Sequence, residues 1–145
     1  MTIQPQTVLL IGVLLLFLVT VESGGYFLTK VVRQHVPAND LQKGFFRAGH
    51  AHAAVLLMLS ILILLVLDQV QPVTPLELVA RNGVPLAAIL MPAGFFLSVT
   101  GKDPQRPNRL IALLWLGAAS LTAGLLAAGI SLVIAGASGL QGVAS

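Results

Sequence analysis

One carboxylate and two histidines lie inside long apolar runs, and they are the residues of this chain best placed to do chemistry. Glu22 interrupts the run Thr7–Thr29, eight residues before Lys30. That separation is about 12 Å of helical rise, which puts the carboxylate within a bilayer's hydrocarbon or at its boundary. An ionisable group there is costly, usually faces the bundle interior and marks a functional site by default. His50 and His52 fall in the segment FFRAGHAHAAVLLML, residues 45–59, at a comparable depth on the next apolar run. A carboxylate and an imidazole in contact can share a proton and offset each other's charge. The expected site therefore has Glu22 as its charged group and His50 or His52 as its partner, holding a small ligand, a proton or a metal ion. The alternative is that the same groups only knit helices together through hydrogen bonds.

Spacing limits the two histidines. Residues two apart on a helix differ by about 200° in direction, so His50 and His52 cannot chelate one ion as an i, i+4 pair does. Glu22 with one or both histidines supplies two or three metal ligands, short of a closed zinc shell and closer to an open catalytic or transport site. A haem could take one histidine, but its second axial ligand would have to come from Met58, Met91, the loop residue His35 or a second copy of the chain. Ser23–Gly24–Gly25–Tyr26 follows Glu22 directly. Tyr26 is one turn away on the same face, placed either to hydrogen-bond the carboxylate or to anchor the helix at the membrane interface. The two glycines permit close approach of another helix or a local opening of the backbone.

The elements that must carry these residues follow from composition. A soluble domain has about 25% charged residues, whereas this chain of 145 residues has 9%, with 57% hydrophobic. So short a chain cannot enclose that much apolar surface in water, but lipid accepts it. The expected fold is all-α: an integral membrane four-helix bundle forming one domain over residues 1–145, with helices near 8–29, 41–67, 83–100 and 110–136. Asp40 is expected to cap the second helix. Asp68–Asn82 reads as an external loop, and Pro92 should kink the third helix. The N-terminal run lacks the basic segment of a signal peptide and reads as a membrane helix.

Basic residues orient the bundle. The first loop carries Lys30, Arg33, Lys43 and Arg47, the third Lys102, Arg106 and Arg109, and the second only Arg81. The positive-inside rule then puts the first and third loops in the cytoplasm and both termini on the non-cytoplasmic side of the cell's inner (plasma) membrane. The net charge of +3 comes from these clusters, which suit anionic headgroups rather than nucleic acid. There is no cysteine, so a disulfide framework or thiolate metal site is excluded.

On the fourth helix, Ala119, Ala123, Ala127, Ser131 and Ala135 recur every four residues, beside Ser120, Gly124 and Ala128. Small residues at that period favour tight helix packing, within the chain, in a homo-oligomer or in a larger membrane complex. Trp115 reads as an interfacial anchor. No nucleophile triad, phosphate loop, HExxH or nucleic-acid module is present, and Ser60 and Ser98 have no base beside them.

The stretch FFRAGHAHAAVLLML, with Gly24–Gly25–Tyr26 upstream, resembles small four-helix bacterial membrane proteins with RAGHAHA-like motifs, a group found in high-GC Gram-positive genomes. That resemblance spans about a third of the chain and implies a fold but no activity. The HAH pair is also loosely similar to the histidine-bearing helices of haem–copper oxidase and nitric-oxide reductase subunits, which draw further histidines from other helices. The leading expectation is a non-enzymatic membrane protein with a buried Glu/His ligand site. The others are a membrane enzyme or redox subunit using haem or a divalent metal, and a structural subunit using the helix-four stripe.

Overall fold

The computed structural model describes residues 3–70 and 75–143. Four helices follow one another: α1 (Pro5–Val32), α2 (Asp40–Leu67), α3 (Glu77–Ser98) and α4 (Ile111–Val143). Among the described residues none is in a strand. All four helices are long and apolar enough to cross a membrane.

Local chemistry sets the boundaries, and several differ from the sequence expectation. Pro5 stands in the first turn of α1, where its missing N–H costs nothing, so the helix starts before residue 8. The cap of α2 is Asn39, not Asp40. Its side chain accepts from the Gln42 amide while the Gln42 side chain accepts from the Asn39 amide, which forms a reciprocal capping box. Asp40 is instead the first helical residue, fully exposed and 3.3 Å from Lys43. The third helix begins at Glu77 rather than residue 83, so Glu77–Asn82 is helical and not loop. A Glu77–Arg81 pair one turn apart, at 3.1 Å, supports that extra turn. α4 runs to Val143, beyond the expected 136.

Packing proceeds between neighbours in sequence, α1 on α2, α2 on α3 and α3 on α4, with only slight contact between α2 and α4. The α3–α4 seam is the closest. A Cβ at Gly83 would lie 2.6 Å from the Gly124 Cα, and one at Gly124 would lie 2.8 Å from the Val84 nitrogen. The two backbones touch, and the Ser120 hydroxyl donates to the Gly83 carbonyl across the seam at 2.8 Å. Lipid provides no hydrophobic drive between helices, so this close dispersion contact is what holds the pair. Of the expected stripe on α4, Ala127 and Ser131 are buried and Ala135 is half-buried, but Ala119 and Ala123 are exposed. The contacting face at that level is instead Gly117, Ser120 and Gly124.

α1 is different. Of its 28 residues only Thr7, Leu14 and Val31 are buried. It is fastened at both ends and loosely packed between. At the basic end Phe46 holds it, edge-on to Phe27 and stacked on Phe96 of α3. Gln42 ties the same end together, its amide donating to the carbonyls of Val99 and Gly101.

Replacing Gly124 with Ala should destabilise the protein by about 1–3 kcal/mol, the usual cost of overpacking. Gly129 of the same helix has open space around it, so Gly129→Ala is the control. Denaturant unfolding in detergent should separate the two variants, and equal midpoints would contradict the backbone contact.

Candidate functional site

Among the described residues, titratable groups meet apolar surroundings around His50 and around Arg81. The first is the region expected from sequence. His50 projects from α2 against Gly24 and Gly25 of α1, where a Cβ on Gly25 would lie 3.3 Å from the ring Cε1. The glycines therefore make room for the imidazole. His52 points elsewhere, as the 200° argument requires. Its Nδ1 lies 2.8 Å from the Ala48 carbonyl and its ring 5.0 Å from that of Phe95 on α3. The pair serves two different seams.

Glu22 is exposed on α1 and does not face the bundle interior. It lines a recess with His50, alongside Leu15, Leu18 and Val19, but no hydrogen bond joins the two among the described residues. Tyr26 is 65% exposed and lies beneath the Lys30 ammonium, 4.5 Å from the ring centroid, rather than against Glu22. Among the described residues no three His, Asp or Glu side chains converge on one point as metal ligands. Met91 is buried on α3 against Gly117 of α4 and Met58 is exposed on α2, and neither lines the spaces that His50 borders.

What His50 does reach is a cleft of about 460 Å³ between α1 and α3, floored by α2. Phe17, Phe27, Leu57 and Phe96 form apolar walls, while Gly24, Ala53, Ala88 and Ala93 leave the space. Thr20 and Ser23 also line it, but their hydroxyls donate to the carbonyls of Phe17 and Thr20. No partner for the His50 ring nitrogens is present among the described residues. Pro92 has no N–H to offer the Ala88 carbonyl one turn earlier, and both residues line the cleft.

The second place lies where the sequence predicts an external loop, at Asp68 and Arg81. Arg81 is 3% exposed and the Asp68 side chain is fully enclosed, 2.7 Å away. Thr7 of α1 sits between them, its hydroxyl donating to Asp68 at 3.0 Å and accepting from the Arg81 Nη1 at 3.1 Å. The Gln4 amide donates to the other Asp68 oxygen at 2.9 Å. Burial opposes charge on Asp68. The hydrogen bonds from Gln4, Arg81 and Thr7, with the guanidinium charge, outweigh it and hold the carboxyl below its ordinary 3.8. Arg81 Nη2 is buried without a partner. Its Nε–Glu77 contact completes the network. Arg81 thus stands between two carboxylates, Asp68 and Glu77, and the cluster fastens α1 to the ends of α2 and α3.

A folded value below the unfolded one means the Asp68 contribution is complete above pH 3.8 and is lost as pH falls through the folded value. The chain has no cysteine, so Gln6→Cys with Leu78→Cys gives a unique spin-label pair across this end. At neutral pH its distance distribution should be narrow, and it should broaden in acid below about 3.8. Adding Asp68→Asn should broaden it at every pH. A distribution that stays narrow in that variant would show that the network does not fasten α1. No protein-family model, curated protein or solved structure matches the chain, so its chemistry is read from this geometry.

Proposed function

We propose that this chain is a multi-pass protein of the inner (plasma) membrane that holds a small lipid-soluble molecule in the α1–α3 cleft, with His50 as its hydrogen-bonding contact. In this reading the basic loops face the cytoplasm, both termini lie outside, and the protein is a binding component rather than an enzyme. The supporting observation is the cleft itself: apolar walls around one imidazole with no protein partner. Apolar walls do not stabilise a hydrated ion, but they match an acyl or isoprenoid chain. A neutral imidazole has one donor and one acceptor, and leaving both unmet in hydrocarbon is unfavourable. A ligand hydroxyl can supply a hydrogen-bond partner that the His50 ring lacks.

Glu22 has a lesser part here than sequence alone suggested. It borders the neighbouring recess and not the cleft, so Glu22→Gln should leave occupancy of the cleft unchanged.

A farnesol analogue bearing a diazirine on its chain tests the proposal in lipid nanodiscs. Photolabelling should map to residues 17–27 of α1 and 88–96 of α3. Ala93→Trp, which fills the space, should abolish it. His50→Phe keeps the bulk but removes one hydrogen bond, and should weaken apparent affinity roughly three- to tenfold. Labelling that survives Ala93→Trp would remove the cleft as the site.

A further inference from the structure

The basic end of the α1–α2 seam contains a recess of about 230 Å³ that belongs neither to the cleft nor to the Asp68–Arg81 network. Lys43 and Arg47 of α2 line one side, Leu28, Val31 and Val32 of α1 the other, and Gln34 closes its mouth. We infer that this recess binds the phosphate of an anionic phospholipid, with the lipid's chain lying on the apolar side of α1.

Four features support this assignment. Arg47 is pre-positioned, because its Nε donates to the Lys43 carbonyl at 3.2 Å. That bond leaves the two η nitrogens without a protein partner among the described residues, and a guanidinium in this state matches phosphate oxygens bidentately. Lys43 adds a second cation one turn earlier on the same face. Its contact with Asp40 at 3.3 Å is weak competition, since Asp40 is fully exposed to solvent.

No carboxylate lines the recess itself, unlike the pocket beside Arg81, where Glu77 is a lining residue. Apolar and cationic walls meet in the recess as they do at a bilayer's headgroup boundary. Val32 is 75% exposed and Val31 is buried, so apolar surface continues from solvent into the seam. A free phosphate ion would use the cations but not that surface.

The two sources of phosphate are separated by native mass spectrometry of the full chain in a mild detergent. Phosphatidylglycerol, phosphatidylcholine and inorganic phosphate are offered in turn to wild type, Lys43→Gln/Arg47→Gln and Lys102→Gln/Arg106→Gln. Each surface cation near an anionic headgroup contributes enough for roughly a fivefold change, so the first variant should lose about tenfold or more of its phosphatidylglycerol retention. The loop variant should keep the wild-type preference over phosphatidylcholine. Equal losses in both variants would reduce the effect to general surface charge and overturn the site. Displacement of the lipid by millimolar inorganic phosphate would overturn the lipid assignment in favour of a soluble phosphate. An unchanged unfolding midpoint in the first variant excludes misfolding as the cause.

Discussion

The arrangement of this bundle depends on a buried ion pair at the end of the chain where it starts. Arg81 and Asp68 are withdrawn from solvent and bridged by Thr7. A buried pair adds little net stability, because desolvation cancels most of its attraction. Removing one partner is costly, however, and this makes the contact discriminating. α1 offers few buried apolar residues to determine its place. Gln4 and Thr7 do so instead, since only one position of the helix satisfies both Asp68 oxygens.

The cleft is a consequence of that mode of attachment. A helix packed along its whole length would close on α2 and α3, as α4 closes on α3 through Gly83 and Gly124. α1 is held by hydrogen bonds at one end and, at the other, by Phe27 set edge-on to Phe46. Between them Gly24, Ala53, Ala88 and Ala93 are too small to fill the gap. Pro92 faces the same space and removes a backbone bond within it. Polar fastening, small side chains and a broken helical ladder therefore converge on one volume, with His50 beside it.

Much of this was legible in the sequence, for reasons particular to each feature. Four apolar runs announce four helices, and a two-residue spacing sends His50 and His52 to different seams. The depth of Glu22 follows from counting residues, but its direction does not. A helix apolar nearly all round gives no clue to which side faces its neighbours. The α4 stripe is buried only over Ala127 and Ser131, for a related reason. Steps of four residues advance about 40° beyond a full turn each, so Ala119 and Ala135 cannot share one contact face. Asp68 and Arg81 were hidden by their position beside prolines, where charge normally means solvent. Their partner Thr7 is far away in sequence, although the Glu77–Arg81 spacing was a sign that the helix started early.

Sequential packing also has a meaning in time. During synthesis, α2 can take up α3, and α3 can take up α4, as each enters the bilayer, since these contacts join consecutive helices. Such local pairings form quickly because little chain must be closed to make them. α1 cannot finish at its own turn. It is made before the other three, yet its fastening at the Thr7 end waits for Asp68 and then for Arg81, more than seventy residues after Thr7. The helix that bounds the cleft is thus made before its partners α2 and α3 and secured only after both.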